Sequence, residues 1–196
     1  CQMSYSKKFS FSDTPSNYAA VKFPLEHKTV NATPVLYVPG HEGDFMQARS
    51  ILSRRDRKTF FFDHDLDFYA FHFKEEATGL DGWYINNQAR YINKTLASMA
   101  QKYDKPCVLI GHSYGGVAAV VGLLFHLEHL LTVHRDTLNT TLIPQPVSKV
   151  ITLSTPFSLP LLTPHKSLYR AYKYMHAHWF LLAKFQIELT DISGGW

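Results

Sequence analysis

The chain has 196 residues, of which 45% are hydrophobic and 18% charged, with a formal net charge of +4. This length and balance describe a globular chain that can bury a sizeable core, and they exclude a disordered one. The charge is mild, and no basic segment interleaved with stacking aromatics accompanies it, so nucleic acid is excluded as a partner.

In chain order, residues 1–30 read as a polar, aromatic lead-in with an edge strand over 18–23. The apolar run 34–40 ends in Pro39-Gly40 and reads as a strand followed by a tight loop, His41-Glu42-Gly43. Asp44 is placed to cap a helix through Arg55, with Phe45, Ala48, Ile51 and Leu52 on one face. The basic cluster Arg54, Arg55, Arg57 and Lys58 reads as a solvated set of cations that complements the dipole at the end of that helix, with contact to lipid phosphate as the alternative. Residues 59–63 read as the next strand. An acidic and aromatic loop over 63–72 follows, placed to line a pocket. Asp63, Asp65 and Asp67 lack the glycine and distal glutamate of a calcium loop.

Residues 81–103 form the clearest helix, with Ile85, Ala89, Ile92, Leu96 and Met99 on one buried face. Residues 107–110 then read as a buried strand. Gly111-His112-Ser113-Tyr114-Gly115 fits G-x-S-x-G, and an apolar helix with small residues at its start follows. A polar loop covers 135–146, a strand 147–154, a helix about 166–182, and a last strand 185–192. Strands alternating with helices predict right-handed β-α-β units on a mostly parallel sheet.

The G-x-S-x-G turn carries the chemistry. A nucleophilic serine must stand clear of the sheet, so its backbone turns sharply. Glycines two before and two after it remove side chains that would collide with neighbouring elements. Ser113 is the candidate nucleophile. Stabilising an oxyanion takes two N–H donors. Tyr114, the residue after the nucleophile, supplies one, and the loop after the 34–40 strand supplies the other through His41, with Glu42 as runner-up. In this fold the acid and then the histidine follow the serine in the chain. Asp136, His165, His176, His178 and Asp191 lie downstream, but none stands after the last expected strands in the right order. The acid and base are therefore expected beyond Trp196, and the chain is expected to be a single partial domain over 1–196, incomplete at its C-terminus.

Other features are quieter. Two cysteines, Cys1 and Cys107, make no disulfide framework, and no metal-ligand spacing appears, so neither metal nor cofactor is expected. The most apolar run, 117–133, is broken by His126, Glu128 and His129 and reads as a buried helix. Sequons at Asn31, Asn93 and Asn139 are glycosylation candidates and tilt the reading towards the secretory pathway. Asn93 can carry glycan only from the outer face of its helix.

Several segments together resemble one family. They are Cys1-Gln-Met-Ser-Tyr5, Pro34-Val-Leu-Tyr-Val-Pro-Gly40 with Gln47-Ala-Arg-Ser-Ile51, Ala70-Phe-His72, Leu109-Ile-Gly-His-Ser-Tyr-Gly-Gly116, Ile151-Thr-Leu-Ser-Thr-Pro156 and Ile192-Ser-Gly-Gly195. The chain is similar to the lumenal hydrolase part of the GPI inositol-deacylases along nearly its whole length. The resemblance implies an α/β-hydrolase fold with helices on both faces of the sheet. It also implies an enzyme on the lumenal face of the endoplasmic-reticulum membrane, anchored by segments outside this chain. The implied substrate is a GPI lipid or GPI-anchored protein, which loses its inositol-linked acyl chain during maturation and export. Ser113 matches the family's serine. Tyr114 departs from the methionine often found there, and His41-Glu42 replace smaller polar residues. Two other readings stand beside this one: a different lumenal or secreted serine lipase or esterase, and a hydrolase fold without activity used for binding.

Overall fold

The computed structural model describes residues 6–8, 15, 17–23, 32–55, 66–134, 145–158 and 165–192. Seven strands form one sheet: β1 (Ser6–Lys8), β2 (Ala19–Lys22), β3 (Thr33–Val38), β4 (Leu66–His72), β5 (Cys107–His112), β6 (Val147–Leu153) and β7 (Glu188–Ile192). Their spatial order is β1-β2-β4-β3-β5-β6-β7. The β1–β2 and β2–β4 pairs are antiparallel, and the remaining pairs are parallel. The expected mostly parallel sheet is therefore present.

Alternation along each strand splits the core in two. Leu36 and Val38 of β3, Tyr69 and Phe71 of β4, and Cys107 and Leu109 of β5 face one side. There they meet α2 (Gly82–Lys102), α3 (Tyr114–Val133), α4 (Lys166–His178) and α5 (Phe180–Lys184). Val35 and Tyr37 of β3, with Phe68 and Ala70 of β4, face the other side. They meet a 3-10 turn (Phe45–Ala48) and α1 (Arg49–Arg55). Helices thus cover both faces.

Helix α2 forms as its periodicity dictates. Ile85, Ala89, Ile92, Leu96 and Met99 are fully buried, and the Asp81 side chain caps the helix by accepting from the Trp83 N–H. Each of the four larger ones, Ile85, Ile92, Leu96 and Met99, contributes about 1.5–3 kcal/mol by leaving water. Helix α3 is long and apolar enough to cross a membrane, but its first three turns are the core helix here. Val117 to Val121, Leu123 and Leu124 are fully buried, and Gly122 lets the Ala89–Ile92 turn of α2 approach closely. Cys107 is buried at the start of β5, and burial pushes its thiol up to about 12.

Four sequence expectations are corrected. Residues 66–72, expected in a loop, are β4, a strand inside the sheet. Phe68, Tyr69, Ala70 and Phe71 are all buried, because helices cover both faces, so no polar alternation marks the strand. Its acid Asp67 is tied by Lys22 at 2.5 Å and by the Tyr103 hydroxyl. The strand expected at 59–63 lies outside the described residues. β2 is not an edge strand, since β1 pairs along its outer side. Asp44 makes no side-chain cap; it faces His72 at 3.4 Å. The helix expected over 166–182 breaks at Trp179 into α4 and α5.

Candidate active site

Ser113 sits between the end of β5 and the start of α3. Its backbone has φ 52° and ψ −130°, a conformation that non-glycine residues adopt only under strain. The strain is held by packing on both sides. The Ser113 N–H donates to the Leu153 carbonyl at 2.8 Å, and the Gly116 N–H donates to the Ser113 carbonyl at 3.0 Å.

The glycines around it are needed for space. A Cβ on Gly111 would lie 2.7 Å from the Gly116 nitrogen, inside the start of α3. A Cβ on Gly115 would lie 2.5 Å from the Val38 carbonyl oxygen, and one on Gly116 2.7 Å from Thr155 Cγ2. The serine itself is half-buried and carries no hydrogen bond from a described side chain.

The loop after β3 lies directly against this turn. A Cβ on Gly40 would come 3.0 Å from Ser113 Cβ and 2.9 Å from the His112 carbonyl oxygen. Of the two donors considered in that loop, Glu42 is already used: its N–H donates to the Glu76 carbonyl at 3.0 Å. Among the described residues no acceptor takes the His41 N–H. The His41 ring accepts from the Gly79 N–H through Nδ1 at 2.9 Å and lies 6.3 Å from the buried Tyr114 ring.

Sequence reasoning missed the part that holds these pieces together. Residues 73–81, after β4, reach over to the β3 loop through Glu76 and Gly79. The Glu76 carboxylate accepts from Tyr18 at 2.5 Å and from Gln88 at 3.0 Å. Burial raises its pKa, against the lowering effect of those two bonds. Gly79 is fixed by sterics, since a Cβ there would lie 2.6 Å from Tyr114 Cε2. These are contacts between loops, made largely by backbone atoms, and no residue pattern advertises them.

The downstream candidates do not meet Ser113. His165 lies 2.6 Å from Ser167 Oγ and 3.4 Å from Asp81, at the start of α4. The exposed His176 ring packs with Tyr172 and Trp179. His178 contacts Glu128 at 2.9 Å, and its Nδ1 lies 2.8 Å from the Tyr174 carbonyl oxygen. Asp191, inside β7, accepts from Thr152 at 2.6 Å. Asp136 lies outside the described residues, as do Asn31 and Asn139. Asn93 does not sit on a bare outer face: it is half-buried, and its Oδ1 lies 2.9 Å from Nδ1 of the buried His126. No cluster of side chains able to hold a metal ion occurs among the described residues.

Residues 29–195 match the family described as the PGAP1-like alpha/beta domain. The chain belongs to this family. Among curated proteins it is similar to the GPI inositol-deacylase of Xenopus laevis, 30% identical over 191 residues, covering 91% of this chain and 19% of that protein. The GPI inositol-deacylase of Mus musculus is 26% identical over 186 residues, covering 90% of this chain and 18% of that protein. This PGAP1-like chain therefore spans under a fifth of the length of these relatives.

Among solved structures it superposes on a lipase/esterase from Lactobacillus plantarum with a TM-score of 0.61 at 10% identity, covering 100% of this chain and 90% of that one. Carboxyl esterase 2 from Tuber melanosporum gives 0.59 at 14% identity, over 98% and 68%. At such identities the likeness is one of fold, and the fold is that of the α/β-hydrolases.

Proposed function

We propose that this chain is the hydrolase part of a GPI inositol-deacylase, with Ser113 as its nucleophile. One observation carries the reading: a strained, half-buried serine at a strand-to-helix turn, with Gly40 of the loop after β3 packed against it. Membership of the PGAP1-like family and similarity to GPI inositol-deacylases support the substrate class.

Ser113 Oγ attacks the carbonyl carbon of the inositol-linked fatty acyl ester, forming a tetrahedral oxyanion. The N–H groups of Tyr114 and His41 hold that oxyanion, and the positive end of α3 adds to the field. The bond to the inositol oxygen breaks, and that oxygen takes up the proton removed from the serine. Water then releases the fatty acid from the acyl-enzyme. None of the described histidines meets Ser113, so the base and its carboxylate partner come from outside the described residues. The chain, 1–196, is a single partial α/β-hydrolase domain. The protein works on the lumenal face of the endoplasmic-reticulum membrane, where it acts before export of its GPI-anchored substrates. Asn31 and Asn139 are the better glycan acceptors, because Asn93 faces His126.

A second reading, a hydrolase fold used only for binding, is favoured by the lack of a described histidine at Ser113. A fluorophosphonate probe on the full-length protein separates the two. Labelling at Ser113 that disappears in Ser113→Ala, with fatty acid released from acyl-inositol GPI, supports the deacylase. Labelling that survives Ser113→Ala removes the nucleophile assignment. A folded protein that takes no label supports the binding module.

A further inference from the structure

The positive charge of this chain is unevenly placed. Residues 137–187 contain none of its 16 Asp and Glu residues but carry Lys149, Lys166, Arg170, Lys173 and Lys184. Lys149 is paired with Glu188 at 2.7 Å. Three of the others, Lys166, Arg170 and Lys173, fall on one face of α4 at helical spacing, together with Tyr169.

The opposite face of α4, made by Leu168, Ala171, Tyr172 and Met175, is buried. Lys166, Arg170 and Lys173 are exposed, and none has an ion-pair or hydrogen-bond partner among the described residues. The nearby acids are engaged elsewhere: Asp81 by Ser167 and the Trp83 N–H, Glu128 by Tyr174 and His178. Two large rings share this surface, with Tyr169 57% and Phe180 60% exposed.

An ordinary solvated helix face mixes charges of both signs and keeps large aromatic rings covered. This one does neither. Unpaired cations alternating with exposed rings match the chemistry of an anionic lipid surface, where Lys and Arg meet headgroup phosphates and aromatic rings settle at headgroup depth.

We propose that the outer face of α4 docks on an anionic phospholipid bilayer. The start of α4 is fixed to the edge of the sheet that bears Ser113: the Gly82 N–H donates to Ser167 Oγ at 3.0 Å, and Gly79 packs on the Tyr114 ring. Leu80 and Trp83, 44% and 57% exposed, continue the apolar rim there. Docking by α4 therefore brings that edge towards lipid. The inference rests on charge and exposure and does not require Ser113 to be a nucleophile.

Flotation of the full chain with phosphatidylcholine vesicles, with and without phosphatidylserine, tests it. The chain is expected to float only with phosphatidylserine, and less as salt is raised. Each neutralised cation is expected to weaken partitioning about fivefold, so the Lys166→Gln, Arg170→Gln, Lys173→Gln triple variant loses about a hundredfold. Tyr169→Ser with Phe180→Ser weakens it further at constant charge. Arg49→Gln, on α1 at the other face of the sheet, leaves partitioning unchanged. Circular dichroism confirms that each variant is folded. The proposal is overturned by a folded triple variant that floats like the wild type, by an equal loss in Arg49→Gln, by binding indifferent to phosphatidylserine, or by no flotation at all.

Discussion

The Gly79 N–H donates to Nδ1 of His41 at 2.9 Å, tying the loop after β4 to the loop after β3. The bond requires Nδ1 to keep its lone pair, so any proton on the neutral ring sits on Nε2. His41→Leu leaves the Gly79 donor without this acceptor and is expected to cost about 1 kcal/mol of stability. His41→Asn, whose side-chain oxygen can replace Nδ1, should recover most of the loss. Urea denaturation of the two variants measures both effects.

Ser113 holds a backbone conformation that glycine adopts without penalty. Ser113→Gly is therefore expected to stabilise the fold by about 1–3 kcal/mol, the typical range for relief of such strain. Ser113→Ala keeps the Cβ and should leave stability nearly unchanged. Matched denaturation curves for the two variants isolate the backbone contribution from the loss of the hydroxyl.

Gly116 and Thr155 meet without a gap beneath the start of α3. A Cβ at position 116 would sit 2.7 Å from Thr155 Cγ2 and 2.9 Å from Thr155 Cβ. Gly116→Ala should destabilise by about 1–3 kcal/mol through overpacking. Adding Thr155→Ala removes both outer atoms of the threonine and should return part of that loss. A double-mutant cycle is expected to show a coupling of about 0.5–3 kcal/mol; additive effects would mean that the two residues do not touch.

His126 links stability to pH. Burial, followed by the neighbouring His129 charge, lowers its pKa from 6.5 to about 4, while the Asn93 contact opposes the shift. Between those values the unfolded chain binds a proton that the folded chain excludes. Stability is thus full above about pH 6.5 and falls as the pH drops towards 4. The shift corresponds to roughly 3 kcal/mol across the window. His126→Gln keeps a polar partner for Asn93 without titrating, and its stability should vary less with pH over that range. Equal slopes in wild type and variant would contradict this assignment.

Some elements were legible because one physical requirement dominated them. Helix α2 shows its buried face by spacing alone, and the turn at Ser113 shows itself because tight sterics demand glycine at 111 and 115. β4 was not legible. With helices on both faces it needs apolar side chains at every central position, so the alternation that marks a strand disappears, while Asp67 and His72 at its ends imitate loop chemistry. The clamp from Glu76 and Gly79 left no trace for a different reason. It is made by a main-chain carbonyl and a main-chain amide, which every residue type carries. That same carbonyl engages the Glu42 N–H, a contact that side-chain identity does not announce.

Cys107 has a practical consequence. Its thiol is buried and almost wholly protonated at neutral pH, so it is inert towards electrophiles and oxidants for as long as β5 stays paired. Alkylation at this position accordingly times the opening of the central sheet. The chain carries its own unfolding clock, readable by mass spectrometry of the alkylated thiol without an engineered cysteine.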